Sequence, residues 1–374
     1  MFKNLYFGLV ALAMLLTSCK QSNCQQAASD VISFSVDVAR NDSIADFISK
    51  EYQAIPLETN NSILIGNVDK ILFADDKIFI LDKRRNKGVV FVFNIKGFFL
   101  TKIDHIGQGS GEYPTLEDFD VNEGRIYLLS RGAKKIFVYS YDNKYQKEVA
   151  VNEWYDFLYV LNEHEVLLYS NFSNETKQNL VRFDYEKKRI VQSELPFERY
   201  EGFSFSQTPF NIVSSDNILL TQPYDYRIYS YKDGLLRTQY QLAFNTESQL
   251  PKNVTEIPFA TLYETLRGKS LITRINHITE KNSILYLSFV LDFYTNLVRI
   301  DQQTHEIKRV ELVFFDDYPF AYHPPVAFVN GQYISVINAD EVLGVNKGAF
   351  PSDKHEDGQL MEDDNPVIFI RDLK

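Results

Sequence analysis

A short apolar run that closes on a polar residue recurs along the chain. It reads Ile78-Phe79-Ile80-Leu81-Asp82, Ile126-Tyr127-Leu128-Leu129-Ser130 and Val166-Leu167-Leu168-Tyr169-Ser170. It returns as Ile218-Leu219-Leu220-Thr221-Gln222 and Ile284-Leu285-Tyr286-Leu287-Ser288, and more weakly as Tyr333-Ile334-Ser335-Val336-Ile337. Successive starts are separated by 48, 40, 52, 66 and 49 residues. Each run lies among strand-patterned segments punctuated by Asp, Asn, Lys and Gly turns. Periods of this size in an all-β pattern correspond to propeller blades of about four strands each.

The pattern predicts an all-β, six-bladed β-propeller. The first blade is expected at 67–73, 77–82, 88–93 and 98–103, and the second at 116–121, 125–130, 135–140 and 145–151. The third covers roughly 155–194, the fourth 208–242 and the fifth 271–313. The sixth has strands near 325–330, 332–338 and 367–371 and lacks a fourth of its own. Tyr52 to Leu57 has no blade of its own, so it is expected to close the ring beside 367–371, removing a free sheet edge. Two segments interrupt the repeat. Ile257 to Gly268 has helical spacing, predicting a short helical insertion between blades four and five. Residues 340–365 read as an exposed, mobile loop.

The ends differ from the body. Lys3, the apolar stretch Leu5 to Leu16 and Leu16-Thr17-Ser18-Cys19 form a signal segment closing on a lipobox-like cysteine. Residues 1–18 are thus expected to be removed and Cys19 lipidated. Residues 19–50 are read as lipidated N-terminus and tether, and 51–374 as the propeller. The only cysteines are Cys19 and Cys24, so the body is held by packing rather than disulfides. A net charge of −11 argues against nucleic acid or an anionic membrane surface as partner. Aromatic residues make up 14% of the chain, with 29 Phe and 23 Tyr but one Trp, which suits pleated, half-buried strands.

Three stretches carry a family resemblance: Ile55-Pro56-Leu57-Glu58-Thr59, then Phe91-Val92-Phe93-Asn94 with Lys96-Gly97, then Gly107-Gln108-Gly109-Ser110-Gly111-Glu112-Tyr113-Pro114. The chain resembles the six-bladed propeller lipoproteins of Bacteroidota, which are related in architecture to NHL-repeat and TolB-like propellers. The family's linker usually has proline where Ser110 stands. The resemblance is specific over about 51–145 and implies an exported, anchored propeller. It implies no activity and no catalytic residues.

Motifs for chemistry are sparse. Gly107-Gln108-Gly109-Ser110-Gly111 departs from a dinucleotide loop by one position and opens no helix. It reads as a tight turn, or as a backbone that a ligand could approach. The six histidines make no metal-ligand spacing. Asp69, Asp118, Asp120, Asp156, Asn211 and Asn276 fall on predicted inner strands. They could hold Ca²⁺ or simply make a polar channel. No cofactor is expected.

Propeller geometry nominates a face. Loops between blades, and between second and third strands, open on the same side. They carry Arg84, Glu112, Tyr113, Arg131, Trp154, Tyr224, Tyr294 and His323 as candidate ligand-binding residues, with Arg85, Tyr155, Tyr200, Phe203, Tyr226, Phe293 and Tyr322 beside them. Aromatic side chains and Arg are enriched at recognition hot spots; packing beneath loops is the competing explanation. The reading is an envelope-anchored, non-catalytic module presenting this face to a glycan, peptide or protein. The alternatives are a lyase or hydrolase using a metal in the channel, and a scaffold subunit.

Overall fold

The computed structural model describes residues 31–83, 88–197, 208–214, 217–245, 247–250, 261, 271–355 and 358–374. The described chain forms six sheets arranged as the blades of a propeller. Before the first blade come β1 (Ile32–Val36) and β2 (Gln53–Pro56). Blade one is β3 (Lys70–Ala74), β4 (Lys77–Asp82), β5 (Val89–Asn94) and β6 (Phe99–Ile103). Blade two is β7 (Asp118–Asn122), β8 (Arg125–Ser130), β9 (Lys135–Ser140) and β10 (Tyr145–Ala150). Blade three is β11 (Phe157–Val160), β12 (Glu165–Tyr169), β13 (Gln178–Asp184) and β14 (Arg189–Pro196). Blade four is β15 (Phe210–Ser214), β16 (Asn217–Leu220), β17 (Arg227–Lys232) and β18 (Leu235–Phe244). Blade five is β19 (Ile275–Lys281), β20 (Ile284–Leu291), β21 (Tyr294–Asp301) and β22 (Ile307–Glu311). Blade six joins β23 (Ala327–Val329), β24 (Gln332–Ile337) and β25 (Val367–Asp372) to β2, with Ile55 opposite Ile368.

The repeat falls on the second strand of each blade, and the packing explains why it reads as a continuous apolar run. Each blade is pressed between two neighbours, so both faces of its second strand are buried. In β4, Ile78 and Ile80 join the cluster against blade six, while Phe79 and Leu81 join the cluster against blade two. In β8, Ile126 and Leu128 face blade one while Tyr127 and Leu129 face blade three. Comparable clusters lie between blades three and four, four and five, and five and six. The outer strands are less covered, and β10 is largely exposed, burying only Val149.

Side chains of the inner strands also bridge the blades. The Leu158 N–H donates to Asp118 Oδ2 (2.9 Å), and the Val160 N–H to Asp120 Oδ2 (2.7 Å). The Ile278 N–H donates to Asn211 Oδ1 (2.9 Å). Inner strands have one edge without a ladder, and these side chains satisfy its buried N–H groups. Burial of Asp120 pushes its pKa up to about 6, against the pull of Lys70 and its two backbone donors. Between about pH 4 and 6 the native chain therefore keeps a proton that the unfolded chain has released. Stability falls as pH rises through that window, by roughly 3 kcal/mol for this displacement. Asp120→Asn is expected to remove this dependence. Denaturant midpoints at pH 4 and pH 7 should show the gap between variant and parent moving in the variant's favour by that amount.

Two expectations are corrected. Residues 31–50 are not tether. β1 adds a fifth strand to blade four, parallel to β18, with Ile32 opposite Tyr240. Ile44, Phe47 and Ile48 are buried between blades five and six. The sparse apolar residues of this stretch find their partners only in distant blades. Residues 340–365 are likewise not simply an exposed loop. They begin in helix α1 (Ala339–Val345), whose Ala339, Val342 and Leu343 pack with Phe320, Phe350, Leu360 and Phe369 against blade six. Asp340 and Glu341 in its first turn suit the helix dipole. Left-handed Gly348 follows its end, donating to Leu343 O. The helix predicted between blades four and five lies outside the described residues, apart from helical Thr261.

Candidate functional site

The face that collects the inter-blade linkers and the loops between second and third strands carries the candidate residues. The structure separates those that hold the loops from those that face solvent. Tyr113 belongs to the first group, correcting its nomination as a ligand contact. It is fully buried, and its hydroxyl lies 3.0 Å from the carbonyl oxygens of both Gly88 and Ile103. Tyr155 is fully buried too, and Tyr226 donates to Ile272 O (2.7 Å). Glu112 is exposed, but its carboxylate accepts the Gly109 N–H (2.9 Å). A Cβ at Gly107 would overlap Glu112 Oε2 at 1.9 Å. That glycine thus makes room for the loop's own carboxylate, and Gly111 supplies a left-handed turn at φ +75°. Tyr224 is half-buried, with its N–H bonded to Thr273 O (2.8 Å). Arg84, Arg85, Tyr200 and Phe203 lie outside the described residues.

Two groups remain accessible. On blades two and three, Arg131 Nη1 pairs with Asp156 Oδ1 at 2.9 Å, and its guanidinium lies 5.7 Å from the Trp154 ring. Lys134 Nζ approaches the same half-buried indole at 4.8 Å. The arrangement is a tryptophan flanked by two cations, one of them fixed by a buried carboxylate. Lys134 was not legible as a site residue, because only the fold brings the two loops together.

The second group crowns blades five and six. β20 and β21 are joined by a tight turn in which Asp292 and Phe293 both have positive φ, 52° and 70°. Such turns favour Asn-Gly. Here a bulky ring occupies the left-handed position and is wholly exposed, at 102%. Tyr294 beside it is 51% exposed. The Leu312 N–H donates to Thr295 O (2.8 Å), which brings Val313 and Phe314 to the same end of the blade. Phe314 is 60% exposed and lies 5.7 Å from the Tyr322 ring. Tyr322 stacks on His323 at 4.3 Å, and Glu341 of α1 accepts from the Tyr322 hydroxyl (2.9 Å) and faces His323 Nε2 at 3.0 Å. Burial lowers the His323 pKa, opposed by Glu341. The sequence nominated Tyr294 and His323 here but not Phe314, whose place depends on the β21–β22 register.

The carboxylates considered for a metal are engaged within the protein. Asp69 accepts the Lys83 N–H (2.7 Å), Asp118 pairs with Lys70, and Asp156 holds Arg131. Among the described residues no three His, Cys, Asp or Glu side chains converge as a metal-binding group.

A family profile described as "Domain of unknown function (DUF4934)" matches residues 30–371. The chain belongs to the DUF4934 family. The match begins at the edge of β1, in keeping with that strand being part of the domain. No curated protein matches this DUF4934 chain. Among solved structures it is similar to a candidate exported protein from Bacteroides fragilis, at 18% identity and a TM-score of 0.72, over 92% of this chain and 99% of that one. A member of the DUF4221 family from Bacteroides vulgatus aligns at 8% identity and a TM-score of 0.48, over 88% and 97%. A virginiamycin B lyase from Staphylococcus aureus aligns at 14% and 0.44, over 87% and 100%. At these identities the likeness is one of fold.

Proposed function

We propose that this DUF4934 chain is an exported, envelope-anchored binding module whose loop face takes a glycan, peptide or protein partner without catalysis. The observation that carries the reading is Phe293, a wholly exposed ring held in a strained turn beside Tyr294 and Phe314. Strain and exposure together are kept where function needs them. The nearby Asp316 and Asp317 are exposed and favour a partner with basic as well as apolar groups. Export is supported by the name of the Bacteroides fragilis protein.

Strand polarity supports the orientation. β18 runs from the Asp233-Gly234 turn toward the loop face, and β1 lies parallel to it. Ile32, at the start of β1, therefore lies at the opposite face, which is consistent with the proposed anchor on that side.

Two outcomes test this. Phe293→Gly should relieve about 1–2 kcal/mol of backbone strain and raise the melting temperature. It should also weaken capture of the envelope partner, as should Trp154→Ala. Retained capture by both variants would remove the loop face from consideration. For the anchor, cells fed a labelled fatty acid should incorporate it into the parent chain. Cys19→Ala should abolish both the label and membrane partitioning.

A further inference from the structure

The propeller's central channel contains a cavity of about 260 Å³, walled by inner strands of all six blades. It would hold roughly nine waters at about 30 Å³ each, or one small ring. Aromatic rings line its walls. Tyr159 and Phe210 lie 5.9 Å apart on one side, and His277 and Phe328 lie 6.3 Å apart on another. Polar groups interrupt these rings around the circumference rather than at one edge.

Two of those polar groups are available. Neither ring nitrogen of His277 is within hydrogen-bond reach of another described residue, and the Tyr159 hydroxyl donates to none. The charged groups, by contrast, are already used. Lys70 Nζ contacts Asp118 Oδ1 at 2.8 Å and Phe119 O at 2.7 Å. Asp120 accepts the N–H groups of Val121 and Val160. Burial, reinforced by Arg274, lowers the His277 pKa to about 4, so the imidazole is neutral at pH 7. Lys70 pairs with Asp118, Asp120 is taken up by backbone N–H groups and Arg274 donates to Thr208 O (3.1 Å), so the charges of the wall are engaged within the protein. Apolar faces with hydrogen-bonding groups around the perimeter complement a ring that has flat apolar faces and polar substituents around its edge.

We propose that the channel is a binding site for one neutral sugar ring, held between the Tyr159–Phe210 and His277–Phe328 pairs and hydrogen-bonded by Tyr159 and His277. This site is separate from the loop face and does not depend on it. The lining follows blade four from Thr208 to Ser214 and blade six from Val326 to Asn330, so the cavity extends along the inner strands.

Saturation-transfer NMR and calorimetry on the full chain test this. The probes are glucose and N-acetylglucosamine, with glucosamine and glucuronate as cationic and anionic controls. At least one neutral sugar should bind saturably and better than its charged counterpart. Ala327→Leu, which fills the cavity, should abolish that binding. Tyr159→Phe and His277→Phe, which keep a ring but remove the polar atom, should each weaken it roughly ten-fold. Trp154→Ala and Phe293→Gly should leave it unchanged, separating this site from the loop face. The proposal is overturned if no neutral sugar binds, if a charged control binds better, or if Ala327→Leu binds as the parent does. Should Ala327→Leu lose its cooperative melt, the two ring-conserving variants decide: unchanged affinity in both overturns the site.

Discussion

A chain beginning at Glu58 will show no cooperative thermal transition, whereas one beginning at Val31 will melt as a folded protein. Removing residues 31–57 deletes β1 and β2 and with them seven buried apolar side chains: Phe34, Val36, Ile44, Phe47, Ile48, Ile55 and Leu57. At about 1.5–3 kcal/mol each, their burial is worth on the order of 10–20 kcal/mol. A typical domain's whole stability is only about 5–15 kcal/mol. The loss also opens β25 along its length and detaches the strand that leads into the lock beside it. Asn365 Nδ2 donates to Glu58 O (2.7 Å) and to Ile63 O, its Oδ1 accepts the Ile65 N–H (2.8 Å), and its own N–H donates to Thr59 (2.7 Å). These bonds tie the last blade to the segment that follows β2. Calorimetry and near-ultraviolet circular dichroism of the two chains check the prediction. A native-like transition in the shorter chain would mean that blade six is stable with three strands.

Asp118→Ala is expected to cost about 3–5 kcal/mol. The carboxylate is nearly fully buried and pairs with Lys70, which is itself largely covered. Removing it leaves a buried ammonium without its partner, the situation in which broken ion pairs are most destabilising. It also orphans the Leu158 N–H, so the damage crosses from blade two to blade three. Replacing both charges with apolar residues, as in Lys70→Met with Asp118→Leu, should recover part of the loss. Urea melts of the two single variants and the double variant measure this. A loss under 1 kcal/mol in Asp118→Ala would mean that Lys70 finds water or another acceptor.

Legibility followed the range of the interaction. The second strand of every blade stood out, because a strand buried on both faces must be apolar at consecutive positions, as Ile78 to Leu81 are. Tight turns were visible for the same local reason: Glu123-Gly124 and Asp233-Gly234 take positive φ where the hairpin demands it. Helix α1 was harder to see. It is short, carries Gly344 inside it, and owes its order to Phe320, Phe350 and Phe369 rather than to its own propensity. Site residues were the least legible. Tyr113 and Tyr294 are the same residue type on loops of the same face, yet one is sealed under carbonyls and the other stands in water.

By itself, then, the chain's pattern determined the class of fold, the number of blades and the side on which their loops gather. These follow from periodicity, turn chemistry and the rule that both faces of a blade's second strand are covered. Tertiary structure alone decided which strand reinforces blade four, which carboxylates are spent on neighbouring backbone, which aromatic rings reach solvent and how the channel is walled. Those outcomes depend on residues far apart in sequence meeting at particular distances, and no local pattern records such meetings.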